Sequence, residues 1–516
     1  MSLQQKAYRG MGWSSFSGLI SNGMELLKYI VLARILSPAE FGLLAMTMVI
    51  ISIGRIFADS GTSNAVIHFQ NQNGKQLSTL FWINIMAGLL LYLVIVVLAP
   101  WFAGFYGQPE VSRLLWLAGI ILPIYASGAL FEVLLRKTLS FNKIAVTEIV
   151  AALFGLVVAV TLALDGWGVY ALIWSHIVTA FTMTLIFMIT GISRWSPSLE
   201  FDLAGVRSHL QFGLFQMGER GLNVYGARID QLIIGRFFGP EILGAYYIAW
   251  QIILFPVMRL SPLLNRVAFP VFAGRQNDNP LLRNGYLKLM SGITSMVTPF
   301  FLIAGITAPW LVPVLFGSGW ELSIQLIPIM ALLGFFKMLG NPSGNIVLSK
   351  GRADIVFYWN LAVAVLNTLL FLIGAQYSVF VLLWLYTAIN LCYFITGQWL
   401  MVNRLIELTW FRFMRTLAPF LAALLIPWFG GWLFRNMASG VWKPGNLSGS
   451  SNPVTAACHN LKRAWIDHSI WYEQALWGDT VMLISIATLF LILYIPVFWF
   501  FQSGLIREFF KALRSS

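Results

Sequence analysis

Charged side chains interrupt several long apolar stretches of the sequence, and these residues are the ones best suited to bind or couple to an ion. Five are basic and six are acidic: Lys28, Arg55, Arg220, Arg228 and Lys337, and Glu25, Asp59, Glu132, Glu148, Glu219 and Asp230. A basic residue that faces lipid at the middle of a membrane costs about 2.5–3.5 kcal/mol. Five of them would cost on the order of 15 kcal/mol, more than the stability of a typical protein. Most must therefore face a partner or a wet cavity.

The basic residues are candidates for binding an anion. A guanidinium group is planar, forms two parallel hydrogen bonds with a phosphate or carboxylate, and stays charged when it is desolvated. Arg55, Arg220 and Arg228, together with Lys28, are therefore the predicted substrate-binding residues.

The acidic residues are candidates for coupling to a proton or sodium gradient, because a buried carboxylate readily changes its protonation state. The predicted coupling residues are Asp59, Glu25, Asp230 and Glu219. Glu25 lies three residues from Lys28, and Asp59 four residues from Arg55, so each pair shares a helix face. Either pair could instead be a buried structural ion pair. The sequence carries no P-loop and no metal-ligand spacing, so no cofactor and no metal site is predicted.

Membrane-spanning helices must position these charges. Of the 516 residues 58% are hydrophobic and 10% are charged, whereas a soluble domain carries roughly 25% charged residues. A spanning helix needs about 20 mostly apolar residues. The sequence thus predicts an all-α polytopic membrane protein. Fourteen candidate spans cover 11–32, 40–57, 79–102, 114–131, 145–164, 167–190, 210–234, 241–258, 289–313, 322–340, 355–374, 378–401, 412–434 and 478–501.

The basic residues outside the spans predict the orientation. With the N-terminus inside, 21 of the 33 Lys and Arg residues fall in inner loops and 7 in outer loops, and the other five lie within the spans. Positively charged loops stay on the cytoplasmic side, so both termini are predicted to be cytoplasmic. Basic loops that face anionic lipid headgroups also account for the net charge of +13 without any nucleic acid partner.

An internal repeat predicts the domain organisation. Three residues recur at a constant offset of 202. The pairs are Arg34 and Arg236, Pro38 and Pro240, and Gly42 and Gly244. Each copy holds an even number of spans, so the copies insert as parallel repeats, which is typical of two transporter lobes around a central cleft. We expect six-helix lobes over 1–201 and 202–401, and two further helices over 402–516 with a polar periplasmic loop at 435–477.

Several stretches resemble one family of exporters. They are LARILSPAEFGLLA (32–45), LFWINI (80–85), LSFNKIAVTEI (139–149), LNRVAFPVFAGRQND (264–278), VLFGSGW (314–320) and GNPSGNIVLSKGRADI (340–355). Together they resemble the Wzx-type polysaccharide and O-antigen flippases, more narrowly the colanic-acid exporter branch, of the multidrug/oligosaccharidyl-lipid/polysaccharide exporter superfamily. The resemblance extends from the N-terminus to about residue 430. Family members usually have a short connection where this chain has the loop 435–477.

The resemblance implies a function and a location. It implies a V-shaped bundle in the bacterial inner membrane that moves an undecaprenyl-diphosphate-linked oligosaccharide from the cytoplasmic to the periplasmic leaflet, by ion-coupled alternating access. It implies an anionic cargo in a cationic cavity, which agrees with the charges derived above. The resemblance also implies three kinds of partner: membrane lipids, a polysaccharide polymerase and chain-length proteins.

Two other interpretations stay open at this stage. A drug or metabolite antiporter would share the fold, although an amphiphilic cationic drug would favour an acidic cavity over a basic one. A membrane polysaccharide polymerase or ligase would use a large late outer loop, and 435–477 offers His459, Arg463, Asp467, His468 and Glu473. These residues match no catalytic spacing, and the internal repeat has no place in that interpretation, so we expect a transporter and not an enzyme.

Overall fold

The computed structural model describes residues 3–58, 61–69 and 72–418, and this part of the chain is helical with no β-strand. The helices are α1 (Leu3–Ala33), α2 (Pro38–Ala58), α3 (Thr62–His68), α4 (Gly74–Tyr106), α5 (Glu110–Ala118), α6 (Ile121–Lys137), α7 (Phe141–Leu164), α8 (Val169–Gly191), α9 (Arg207–Ala273), α10 (Asn279–Phe316), α11 (Glu321–Gly340), α12 (Ser343–Ser349), α13 (Ala353–Gly374), α14 (Val379–Gly397) and α15 (Arg404–Ile406). A short π-helical segment, Gln398–Asn403, joins the last two.

Ten helical segments of the described chain are long and apolar enough to cross a membrane, which confirms the predicted class of an all-helical, multi-pass membrane protein. The first predicted span, 11–32, lies within α1, which is not one of these ten segments, so this span stays a prediction. The spans 210–234 and 241–258 both lie within α9, which is interrupted at Gly239 with φ 81°. The predicted span 478–501, most of 412–434 and the loop 435–477 lie outside the described residues, so the total of fourteen stays a prediction.

The packing of the helices divides the chain into two compact units. Of the described residues, the first unit comprises those within 3–251, together with Ser318–Leu322 and Ala362–Leu382, and the second comprises Ile252–Gly317, Ser323–Leu361 and 383–418. The predicted lobes at 1–201 and 202–401 follow the sequence repeat instead, and their boundaries stay a prediction. The predicted site residues Glu25, Lys28, Arg55, Arg228 and Asp230 all belong to the first unit.

Local sequence signals fix several helix ends. Asn73 caps α4: its Oδ1 accepts a hydrogen bond from the Gln76 backbone N at 2.7 Å, and Gln76 Oε1 accepts from the Asn73 backbone N at 3.2 Å. This reciprocal capping box satisfies two backbone donors that a helix start leaves unpaired. At the other end of α4, Gly107 has φ 66°, a conformation that a residue without a Cβ adopts at low cost.

Small residues let the helices of the first unit approach closely. In lipid there is little hydrophobic driving force between helices, so association depends on close packing through glycine, alanine, serine and threonine. A Cβ added to Gly88 of α4 would lie 2.8 Å from the Ala126 Cβ of α6. Similarly, a Cβ on Gly128 of α6 would lie 2.7 Å from the Thr184 Oγ1 of α8. An aromatic cluster closes one end of this packing, with ring centroids 5.5–5.9 Å apart among Phe81, Phe131 and Trp195.

The second unit is organised around a buried tyrosine. The Tyr286 hydroxyl donates to Gln398 Oε1 at 2.6 Å and lies 3.3 Å from Ser343 Oγ, so α10, α12 and the π-helical segment meet at one polar point. The Tyr286 ring stacks on Phe413 with centroids 6.3 Å apart. These contacts link three helical segments of the second unit through neutral side chains.

The contact between α4 and α6 provides a test of the packing. The change Gly88→Leu should lower the free energy of unfolding by about 1–3 kcal/mol, because its side chain has no space against α6. Gly104→Leu on the same helix is the matched control, since a Cβ there meets nothing within 4 Å. Thermal unfolding in detergent should show a lower midpoint for Gly88→Leu alone; equal midpoints would contradict the described packing.

Candidate functional site

The most unusual side chain of the first unit is Lys28 on α1. It is only 6% exposed, and its Nζ donates to the Ser175 hydroxyl of α8 at 3.3 Å. Among the described residues no carboxylate oxygen lies within 4.0 Å of this ammonium group. Removing a charge from water is unfavourable unless the charge is paired. Lys28 is therefore a buried cation that lacks an ion-pair partner in the described chain.

Glu25 is not the ion-pair partner of Lys28, although the spacing of three residues allows that pair. The Glu25 carboxylate instead accepts a hydrogen bond from the Tyr29 hydroxyl at 3.3 Å. The Tyr29 hydroxyl also lies 3.0 Å from the Tyr247 hydroxyl of α9. The structure therefore corrects the alternative of a direct Glu25–Lys28 ion pair, and it connects Glu25 to a second helix through two tyrosines.

His176 extends this polar region, and the sequence analysis missed it. The preceding residue, Ser175, donates to the Gly155 carbonyl at 2.8 Å and so uses its oxygen to accept from Lys28. The His176 Nε2 atom is buried and has no hydrogen-bond partner in the described chain. The positive charges of Lys28 and Arg55 both interact electrostatically with its imidazole ring. A signal was available, because a histidine in the middle of the apolar span 167–190 is as anomalous as a charge there.

Arg55 lies near the end of α2 and is held by an aromatic ring. Its guanidinium carbon is 3.7 Å from the ring centroid of Tyr125 on α6, within the range of a cation–π interaction. The side chain remains exposed. Stacking on a ring fixes the plane of the guanidinium.

Arg228 and Asp230 lie two residues apart on α9 and have different partners. The Arg228 Nη1 donates to Gln231 Oε1 at 3.2 Å, and its guanidinium carbon lies 5.4 Å from the ring centroid of Trp250. Asp230 is 3% exposed; its Oδ2 accepts from the Tyr246 hydroxyl at 2.5 Å and its Oδ1 from the Gln231 backbone N at 2.8 Å. The carboxylate is thus buried and satisfied by donors, while the arginine is half-buried beside an aromatic ring.

The remaining predicted site residues are less completely described. Arg220 is half-buried on α9. Glu219 lies on the same helix, but its side chain is outside the described part of the chain, as is the whole of Asp59. The predicted roles of these three residues stay predictions.

The structure therefore brings part of the predicted set together with residues that the sequence analysis did not select. We use the name polar cluster for these members of the first unit: Glu25, Lys28, Tyr29, Arg55, Ser175, His176, Arg228 and Tyr247. The Tyr247 hydroxyl connects the α1 and α9 sides, since it lies 3.0 Å from the Tyr29 hydroxyl. Three of the eight members are permanent or buried cations and one is a carboxylate, so the cluster is suited to an anion. No group of three or more His, Cys, Asp or Glu side chains in the described chain could hold a metal ion.

Comparisons with known proteins identify similar sequences. The sequence profile of the family described as "Polysaccharide biosynthesis protein" matches residues 31–325. The teichuronic acid biosynthesis protein TuaB of Bacillus subtilis (strain 168) is 31% identical over 403 residues, which cover 78% of this chain and 83% of TuaB. The lipopolysaccharide biosynthesis protein WzxC of Escherichia coli (strain K12) is 30% identical over 376 residues, which cover 73% of this chain and 76% of WzxC.

A comparison of folds gives a consistent result. The lipid II flippase MurJ, in an inward closed conformation, superposes with a TM-score of 0.69 over 96% of this chain and 99% of MurJ. The sequence identity is 12%, so this similarity concerns the fold.

Because Lys28 is buried and charged, replacing it should stabilise the protein, whereas replacing an ordinary core residue destabilises it. Lys28→Met keeps the length of the side chain and removes the charge, so it should raise the free energy of unfolding by about 1–3 kcal/mol. Thermal unfolding in detergent measures this shift, and Lys143→Met is the control because Lys143 is exposed. A lower midpoint for Lys28→Met would mean that Lys28 serves the fold.

The carboxylate of Asp230 gives a second prediction. Tyr246→Phe removes one donor from a buried, charged acceptor and should destabilise the protein by about 1.5–3 kcal/mol. Tyr170→Phe, which removes a hydroxyl donor from the less buried Glu110, should have a smaller effect in the same unfolding experiment. Equal effects would contradict the description of Asp230 as a buried anion.

Proposed function

Because this chain belongs to the polysaccharide biosynthesis protein family of membrane proteins, we propose that it is a flippase for lipid-linked oligosaccharides. The cargo is an oligosaccharide joined through diphosphate to undecaprenol, and it moves from the cytoplasmic to the periplasmic leaflet of a bacterial inner membrane. Two findings support this proposal: relatives whose names place them in teichuronic acid and lipopolysaccharide biosynthesis, and a fold shared with a lipid II flippase.

The single observation that carries the proposal is the polar cluster with its buried, unpaired lysine. A diphosphate carries several negative charges and needs charged hydrogen-bond donors to leave the headgroup region. Lys28 offers an ammonium group with no carboxylate oxygen within 4.0 Å among the described residues, and Arg55 and Arg228 offer guanidinium groups held beside aromatic rings. These three side chains would bind the diphosphate. His176 would add a nitrogen that has no other hydrogen-bond partner in the described chain.

The acidic residues would couple the transport to an ion gradient. Glu25 is half-buried and shares a hydrogen bond with Tyr29, so a proton or sodium ion at Glu25 would change the polar cluster directly. Asp230 is the second candidate, since its two oxygens already accept hydrogen bonds in a buried environment. Asp59 and Glu219 remain candidates on the grounds of their sequence positions.

The rival functions are less well supported. A cationic drug would be repelled by a cluster whose buried charge is Lys28, which argues against a drug antiporter of the same fold. The catalytic residues of a polymerase or ligase would have to come from 435–477, outside the described residues. We therefore propose a transporter with no catalytic activity of its own and with both termini cytoplasmic. It would deliver its cargo to a polymerase and its chain-length proteins.

Reconstituted transport tests this function. Vesicles would receive the lipid-linked oligosaccharide on one leaflet, and an impermeant glycosidase would report the sugar that reaches the other. We expect protein-dependent transfer, and a rate lower by about tenfold or more in the double variant Arg55→Gln/Arg228→Gln, because two charged donors are lost. Lys143→Gln, at an exposed site, is the matched control.

The outcomes distinguish the parts of the proposal. No transfer by the unmodified protein, with either a proton or a sodium gradient imposed, would overturn the flippase function. Normal transfer by the double variant would leave the function standing and overturn the assignment of Arg55 and Arg228. Lys28→Met should reduce transfer even though it is expected to stabilise the fold, a combination that a purely structural lysine would not give.

A further inference from the structure

Equivalent positions of the sequence repeat contact each other within the first unit. A Cβ added to Gly42 of α2 would lie 1.8 Å from the Pro240 carbonyl oxygen, and one added to Gly244 of α9 would lie 1.7 Å from the Pro38 carbonyl oxygen. The contact is reciprocal, because Pro38 corresponds to Pro240 and Gly42 to Gly244 in the repeat. Both glycines therefore allow backbone to meet backbone where any other residue would force the helices apart.

Two aromatic contacts, which are not equivalent to each other in the repeat, lie at the corresponding positions Ala33 and Gly235. The indole nitrogen of Trp320 donates to the Ala33 carbonyl at 2.9 Å, at the end of α1. The position equivalent to Ala33 is Gly235, where an added Cβ would lie 3.0 Å from Cε1 of Tyr106. An aromatic residue from elsewhere in the chain thus packs on the end of the first helix of each repeat copy.

Buried aromatic residues surround this contact. The Tyr29 and Tyr247 hydroxyls are 3.0 Å apart, and their rings meet edge to face with centroids 5.8 Å apart. Phe41 packs on Tyr29 at 6.1 Å and on Trp320 at 5.3 Å. All four aromatic side chains are buried. The contact is therefore closed to water, and the Tyr29–Tyr247 hydroxyl pair links α1 to α9 across it.

We propose that the Gly42–Pro240 and Gly244–Pro38 contacts, with the Tyr29–Tyr247 hydrogen bond, form a latch that closes one end of the transport path. The proposal rests on the proposed function, since a flippase must open alternately to each leaflet. The latch lies where α1 joins α2, the end that the distribution of basic residues predicts to be periplasmic. Glycine contacts suit a latch because they separate and re-form without any rearrangement of interlocked side chains.

The latch also connects the polar cluster to the opening of the transport path. Tyr29 shares one hydroxyl between Glu25 and Tyr247, so its oxygen atom belongs to both the cluster and the latch. A change at Glu25 alters the hydrogen bond that links α1 to α9. Tyr29 and Tyr247 are positioning residues in this scheme, and they do not need to touch the cargo.

Distance measurement between two spin labels on the full-length protein tests the latch. The labels would be placed at Ile35→Cys and Phe237→Cys, which are exposed, equivalent in the repeat and adjacent to the contact. Cys392 and Cys458 would be replaced by serine. We expect the short distance between the two labels to be the most populated one when the latch residues are unchanged. Gly42→Ala and Gly244→Ala should each shift the population to a longer distance, whereas Gly226→Ala on α9 should not, because a Cβ there meets nothing within 4 Å.

A second variant keeps the test decisive if an alanine variant does not fold. Tyr247→Phe retains the ring and removes only the hydroxyl pair, so the ratio of open to closed protein should rise by about fivefold. An unchanged distance distribution in Tyr247→Phe and in the folded glycine variants would overturn the latch. The distance measurement needs no cargo, so it tests the latch independently of the transport assay. A failure of transport in vesicles would count against the proposed function and would leave the test of the latch unaffected.

Discussion

The buried ammonium group of Lys28 is the constraint on which the arrangement of the first unit depends. A buried charge among apolar helices is unfavourable, and here the only hydrogen bond that the group donates within the described chain goes to Ser175. The neighbouring Glu25 carboxylate accepts from Tyr29 instead, and the buried His176 Nε2 has no hydrogen-bond partner among the residues that the structure describes. A fold selected for stability alone would pair or remove these groups. Their presence together is the physical observation on which the proposed anion site rests.

Close helix packing stabilises the first unit in lipid despite its buried polar groups. Because there is little hydrophobic driving force between helices in lipid, the unit depends on close packing at its glycines. At these glycines, side-chain or backbone atoms of a neighbouring helix approach the glycine backbone closely. Gly155 illustrates the connection between packing and site, because its carbonyl accepts from Ser175 and so orients the oxygen that Lys28 uses. The packing of α7 on α8 and the polar cluster are thus parts of one structure.

The internal repeat has a structural consequence that goes beyond similar folds for the two copies. The same residues that recur in sequence, Pro38 with Pro240 and Gly42 with Gly244, meet in space. This contact explains physically why a proline followed by a glycine four residues later is present in both copies. The proline begins a helix and the glycine, one turn on, allows the other copy's helix start to approach. The sequence analysis used these residues only as markers of the repeat, and the structure shows that they also form a contact.

Composition and periodicity by themselves determined the class of the protein, its helical spans and the small set of charges that lie within them, because length and apolarity decide whether a segment can cross a bilayer. The family followed from motifs that are continuous in sequence. Only the tertiary structure decided the partners of each charge: Tyr29 for Glu25, Ser175 for Lys28, Tyr125 for Arg55 and Tyr246 for Asp230. It also decided that α5 and α6 divide one predicted span and that α9 joins two. The reason is geometric, since the spacing along a helix gives the face on which a residue lies, whereas its partner depends on the rotation and approach of other helices that no local pattern encodes.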